Sequence, residues 1–202
     1  VARLAERVAI VLASGSAARR GLLALAGVVF DVVPADIDED AFRAANAAKA
    51  PEDIARLLAR EKASHVSAAL PDALVIGADQ ALALGREIFG KAKDLAEARR
   101  VLSRLRGQTH DLYSAAAIAG NGTIVWERMA TARMTMRAFS DEFLTRYLES
   151  EGEGILASVG CYKIEGLGVQ LFDRIEGDHA TILGLPLLPV LAELRRRGAL
   201  FS

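Results

Sequence analysis

The chain has 202 residues, 52% of them hydrophobic, enough to bury a core as one large domain or as two small lobes around a cleft. A formal charge of −1 without a lysine-rich block argues against a dedicated duplex-DNA binder. The single cysteine, Cys161, excludes an internal disulfide framework and fits a reducing compartment, and no apolar run approaches the ~18 residues that span a bilayer.

The opening VARLAERVAIVLAS is too short and too interrupted for a signal peptide, so a cytoplasmic protein with no membrane partner is expected. Within it, Val8–Ala13 is a continuous apolar run bounded by Ser and Gly, which predicts a strand buried on both faces. Ala17–Ala26 has helix-forming composition and stops at Gly27, a C-cap residue. Phe30–Val33 predicts a second short strand, ended by Pro34 and the acidic loop DIDED. Pro51 opens a long helix, PEDIARLLAREKASHVSAAL, with proline in the first turn, acids after it, and apolar residues at 54, 57, 58 and 66.

Ala73–Ala78 predicts another buried strand, carried on by QALAL to Gly85 and a hairpin with EIF. Leu95–Leu105 is the next helix, ended at Gly107. Residues 110–119 and 123–137 flank Asn121-Gly122, a strong hairpin signal. A short helix from Asp141 to Glu149 takes Ser140 as its N-cap. Gly154–Asp178 is glycine-rich and mixed, and Pro186 starts a last helix, LLPVLAELRRR, whose arginines suit its C-terminus. Arginines at 3, 7, 19, 20, 99, 100, 104 and 106 are read mostly as solvated helix faces. Strands and helices interleave without strict alternation, so the expected class is α/β with a mixed sheet.

Several stretches could carry chemistry. In LASGSAARRGLL, residues 12–23, a strand ending in S-G-S feeds a helix, which gathers free backbone N–H groups and a positive helix end at one point. Ser14 and Ser16 add hydroxyls, and Arg19 or Arg20 could reach back with a charged fork. Taken alone, the stretch reads first as a serine N-cap followed by surface arginines. DIDED, residues 36–40, could hold Mg²⁺ through one or two carboxylates, or be an ordinary acidic loop. Asp79 follows a strongly apolar strand, which places it at the strand's end near a sheet edge, where burial suits a base or a metal ligand.

Gly85–Ala92 nearly spells a P-loop but fails, because Ala92 lacks the hydroxyl and Gly85 sits in a hairpin turn. Lys91 is kept as a phosphate ligand, and Lys62 alone reads as a solvated lysine on an amphipathic helix. His65, His110 and His179 lack metal-ligand spacing, no GxSxG occurs, and EGLG is no dinucleotide fingerprint. Trp126 reads as core and not as a stacking platform for nucleic acid.

The order of these stretches is more specific than any one of them. LASGSAARRGLL, DIDED, LLAREKA, VIGADQALAL, FGKAKD, GQTH, GCYKIEGLGVQLF and ILGLPL, over residues 8–198, together resemble the Maf family of nucleoside triphosphate pyrophosphatases. Gln80 after Asp79 and K-x-E-G at 163–166 resemble the branch acting on 7-methyl-GTP, with the dTTP/UTP branch as the alternative. The resemblance implies hydrolysis between the α and β phosphates of a nucleotide, giving a monophosphate and pyrophosphate in a house-cleaning role. It also carries a link to cell-division arrest, with a non-catalytic regulator of septum formation as the competing class.

Residue by residue, the resemblance implies Asp79 as the essential proton acceptor and Glu39, beside Asp38, as its acidic companion, the two holding a divalent Mg²⁺ or Mn²⁺. It implies Ser14, Ser16, Arg19, Arg20, Lys62 and Lys91 as substrate contacts, and Ala18, Gln80 and Glu165 as the positions of substrate choice. Ala17 departs from the family's S-x-S-P, Ala18 from its Arg or large aromatic, and Ala92 from the usual proline. The implied fold is a single Maf/ITPase-like α/β domain over 1–202. It comprises an elongated mixed β-sheet with flanking helices and two lobes around a nucleotide-binding cleft, in a chain that forms a homodimer.

Overall fold

The computed structural model describes residues 8–201; Arg3 and Arg7 lie outside them. In chain order the elements are β1 (Ala9–Leu12), α1 (Ala17–Leu25), β2 (Asp31–Val32), α2 (Glu39–Ala45), α3 (Pro51–Ala69), β3 (Ala73–Leu84) and β4 (Glu87–Phe89). There follow α4 (Leu95–Leu105), β5 (Thr109–Gly120), β6 (Thr123–Met136), α5 (Asp141–Glu151), β7 (Phe172–Glu176), α6 (His179–Ile182) and α7 (Leu187–Arg196). Among the described residues the strands form one mixed sheet in the order β2-β1-β3-β5-β6-β7, with β4 also pairing with β3. β1 is parallel to both β2 and β3, whereas β3–β4 and β6–β7 are antiparallel. Among the described residues, no helix is long and apolar enough to cross a membrane.

The described chain falls into two compact units. The first comprises 8–80, 114–130 and 179–201. β1 is buried on both faces, as its apolar run predicts. Ile10 and Leu12 join Leu23 of α1, Leu74 and Ile76 of β3, and Val190 and Leu194 of α7. Val11 and Ala13 pack on the other side with Val66 of α3 and Val75. Trp126 packs against the first of these clusters.

α3 follows its sequence closely, with Pro51 in the first turn and Glu52 and Asp53 facing the positive end. Its buried row runs Ile54, Leu58, Lys62 and Val66, four residues apart. The helix packs tightly on β3 at Gly77. A Cβ there would lie 2.2 Å from the Ala59 carbonyl oxygen and 2.5 Å from the Ala63 nitrogen.

The second unit comprises 81–113 and 131–178. α4 is capped by Asp94, whose carboxylate accepts from the Glu97 amide, and α5 by Ser140, the cap its sequence predicts. Leu102, Leu105, Leu112, Met134, Leu144 and Leu171 are among its fully buried side chains. His110 is buried beside Tyr162 and Phe172, and these two rings meet edge-on at 4.9 Å. The Tyr162 hydroxyl lies 2.8 Å from Nε2 of His110, while Nδ1 has no partner among the described residues. Cys161 is buried as a free thiol.

Four expectations are corrected. The strand expected over Phe30–Val33 shortens to two residues. DIDED is not wholly a loop: Asp38 caps α2, accepting from the Ala41 amide, and Glu39 and Asp40 form its first turn. Acids favour that end of a helix, so one composition serves both readings. Gly154–Asp178 hides β7, whose alternation is masked by charged residues. Asp79 lies inside the twelve-residue β3 and not at a strand end, because small and β-compatible residues carry the strand on to Leu84. The pairing of β3 with β1 nevertheless stops at Ile76, and a side chain, not a strand, takes the carbonyl of Ala78.

Candidate active site

β1 stays paired to its end, where the Ala13 amide donates to the Ile76 carbonyl at 2.8 Å. The chain then turns through Ser14, Gly15 and Ser16 into α1. Ser16 is the N-cap, accepting from the Arg19 amide at 3.4 Å. The Ser14 hydroxyl accepts from the Ser16 amide at 3.3 Å and from Arg19 Nη1 at 3.0 Å. Among the described residues, no acceptor engages the amides of Gly15, Ala17 or Ala18, so free N–H groups remain at the positive end of α1.

Arg19 is only 8% exposed. Its Nε donates to the Gly184 carbonyl at 2.8 Å and its Nη1 also to the Ala78 carbonyl at 2.9 Å. The guanidinium therefore braces α1, β3 and the Gly184 turn. Burial lowers its pKa, against the opposing pull of Asp79 and Glu39.

The Asp79 carboxylate is buried and bound on both oxygens. Lys62 Nζ of α3 lies 2.8 Å from Oδ1, and Arg43 Nη2 of α2 donates to Oδ2 at 3.0 Å. Glu39, at the start of α2, brings Oε1 to 2.7 Å from the same Lys62 Nζ, and its Oε2 lies 3.5 Å from Arg43. Lys62 is thus buried against two acids, correcting its expected place on a solvated face. Burial of these charges is tolerable because each has an opposite partner at hydrogen-bond distance.

The donor set also bears on a cation. Glu39 and Asp79 converge on one nitrogen and offer hard carboxylate oxygens. That set fits Mg²⁺ or Mn²⁺ held by one or two protein carboxylates and completed by phosphate oxygens and water. Among the described residues, no group of three or more His, Cys, Asp or Glu gathers to hold a metal unaided.

Beside Asp79, Gln80 has its amide nitrogen turned inward. Nε2 donates to the Ser114 hydroxyl at 2.9 Å and to the carbonyls of Thr181 and Ile182 at 3.1 and 3.0 Å. The Ser114 hydroxyl itself donates to the Thr181 carbonyl at 2.7 Å. These acceptors fix which end of the amide is which and leave Oε1 as its acceptor.

A buried aspartate on β3, a lysine from α3 and a serine-capped loop before α1 occur here in one compact unit, and a family described as Maf-like protein matches residues 9–197. The chain belongs to the Maf family. It is 54% identical over 186 residues to a nucleoside triphosphate pyrophosphatase of Bradyrhizobium diazoefficiens, covering 92% of each chain. It is 50% identical over 193 residues to a 7-methyl-GTP pyrophosphatase of Mesorhizobium japonicum, covering 95% of this chain and 97% of that one. A nucleoside triphosphate pyrophosphatase of Rhodopseudomonas palustris strain HaA2 is 51% identical over 191 residues, 95% of each chain.

In this Maf chain the structure gathers Ser14, Ser16, Arg19, Glu39, Lys62, Asp79 and Gln80 within the first unit. Ala18 is half-buried and Arg20 exposed, both on α1. Lys91 and Glu165 are exposed residues of the second unit. Sequence reasoning missed Arg43. Its signal was present, since Glu39 and Arg43 stand at i and i+4 and would pair on any helix there. Without a predicted α2 that spacing had no meaning.

Proposed function

We propose that this chain hydrolyses nucleoside triphosphates between the α and β phosphorus atoms, releasing a monophosphate and pyrophosphate. The observation that carries the reading is the buried Asp79 carboxylate, held by Lys62 beside Glu39, in a Maf chain about half identical to named pyrophosphatases. Water adds to the α-phosphorus, its proton passes to Asp79, and the bond to the bridging oxygen breaks as pyrophosphate departs. Lys62 spreads the negative charge, and the free amides of Gly15, Ala17 and Ala18 with the hydroxyls of Ser14 and Ser16 cradle phosphate oxygens. Arg19 acts through this loop by holding its shape. Arg20 and Lys91 supply further positive charge to the substrate.

A divalent metal, carried by Glu39 and Asp79, polarises the phosphate oxygens when bound. Gln80 and Glu165, with Ala18, choose the base. The acceptor Oε1 of Gln80 suits an N–H donor of the base, and together with the Mesorhizobium relative's name it favours 7-methyl-GTP over dTTP or UTP.

The test is colorimetric pyrophosphate release with Mg²⁺ or Mn²⁺ across 7-methyl-GTP, GTP, dTTP, UTP and CTP. Turnover is expected, fastest with 7-methyl-GTP. Asp79→Asn is expected to remain folded and to lose at least about 100-fold in rate. Absence of turnover on every nucleotide overturns the reading, and a near wild-type rate in the variant removes Asp79 from its role.

A further inference from the structure

We propose that Arg43 is a triphosphate-binding residue of this chain, held on Asp79 until the phosphates of the substrate take it. The inference rests on the pyrophosphatase reading and assigns a residue to it. Arg43 uses one terminal nitrogen for both acids, Nη2 at 3.0 Å from Asp79 and 3.5 Å from Glu39. Its Nε and Nη1 engage no acceptor among the described residues. Its remaining N–H donors are therefore free for phosphate oxygens, and release of Nη2 completes the fork that matches two of them. Arg19 stands in contrast, with Nε and Nη1 already bound to carbonyls and a hydroxyl.

The two cations on Asp79 differ in freedom. The Lys62 side chain is 7% exposed, on a helix seated against β3 at Gly77. The Arg43 side chain is 27% exposed, on a seven-residue helix none of whose residues is buried. A guanidinium on a carboxylate oxygen occupies one of its lone pairs and competes with water for that oxygen. Oδ1 lies against the fixed Lys62, so Oδ2 is the oxygen to be freed, and Arg43 is the partner able to leave. An arriving triphosphate brings several negative charges that compete with Asp79 for Arg43. Phosphate capture and the freeing of Oδ2 become one event.

A purely structural ion pair makes a different forecast, since its loss would lower stability and leave substrate affinity alone. The experiment compares wild type, Arg43→Gln and Arg43→Lys in three measurements. These are kcat and KM for 7-methyl-GTP and GTP, the dissociation constant of inorganic pyrophosphate by calorimetry, and the melting temperature. Arg43→Gln is expected to raise KM and weaken pyrophosphate binding by about tenfold or more, the loss of one charge-assisted contact, with kcat changed less. Arg43→Lys, which keeps the charge and loses the fork, is expected to recover part of that loss and gives the same comparison if the glutamine variant does not fold.

Unchanged KM and pyrophosphate affinity in a folded variant overturn the assignment. So does a rise in kcat at constant KM, which would make Arg43 only a restraint on Asp79. Wild-type turnover with either result leaves the pyrophosphatase reading standing. Absence of wild-type turnover removes that reading, while the pyrophosphate titration still reports on Arg43.

Discussion

Arg19 and Arg43 lie near the same carboxylate and behave in opposite ways. Arg19 is a brace: two nitrogens of its planar fork, Nε and Nη1, tie Gly184 to Ser14 and Ala78, and an ammonium has only one nitrogen to place. Arg19→Lys keeps the charge and loses that geometry. It is expected to destabilise the fold by about 2–3 kcal/mol, because buried acceptors lose a charged donor. Activity should fall with it as the Ser14–Ser16 loop loosens. Thermal melting measured beside turnover checks this, and a lysine variant that melts like wild type would refute the brace.

At this scale the sequence was partly legible. Ser16 as a cap and the acid at 79 could be read from residue type and neighbours. Lys62 could have been read as buried, since position 62 falls on the row 54, 58, 66. A lone lysine is usually solvated, so its burial became meaningful only once two carboxylates were found beside it. Asp79 was placed at a strand end because the apolar run stops there, but backbone pairing does not stop where apolarity does.

Among the elements, α3 and β3 set the distance on which the chemistry rests. Gly77 stands two residues before Asp79, and Ala59 and Ala63 flank Lys62, so one contact fixes both partners of the 2.8 Å ion pair. A methyl group at 77 would fall on helix backbone, which cannot swing aside as a side chain can. Gly77→Ala is expected to cost about 1–3 kcal/mol or more and to push α3 away from Asp79. Activity should then fall further than the fraction unfolded explains, and turnover corrected for folded fraction is the measurement. A folded, fully active alanine variant would show that the spacing is not required.

Most elements were legible because each carries its own punctuation. Pro51 starts α3, Gly107 follows the end of α4, Ser140 caps α5, and Asn121-Gly122, both at positive φ, turn β5 into β6. α2 was not, because seven residues with no buried face carry no apolar period to read.

For the molecule as a whole, acid stability depends on a residue remote from the proposed chemistry in sequence and role. Burial lowers the His110 pKa from its ordinary 6.5 to about 4, with Asp111 opposing the shift. The unfolded chain gains a proton as the pH falls through 6.5, and the folded chain does not until about 4. The neutral imidazole thus contributes stability that is complete above 6.5 and declines as the pH drops toward 4. His110→Gln cannot titrate and should show a smaller fall in melting temperature between pH 7 and pH 5 than wild type. Equal slopes would place the acid sensitivity elsewhere.

The class of fold was legible at this scale, since interleaved apolar runs and amphipathic segments without strict alternation imply a mixed sheet. Its strand order was not, because β1 pairs with β3 across three intervening helices and a strand, a contact no local pattern reports.

The way α2 is attached has a consequence for motion. With no buried side chain, its tie to the rest of the first unit runs through Glu39 to Lys62 and Arg43 to Asp79. Such ties weaken with ionic strength where they reach solvent, as at the side chains of Glu39 and Arg43, whereas the apolar packing under α1, α3 and α7 does not. Salt concentration therefore acts as a dial on the local opening of one short helix, loosening a wall of the site while the core beneath it stays closed.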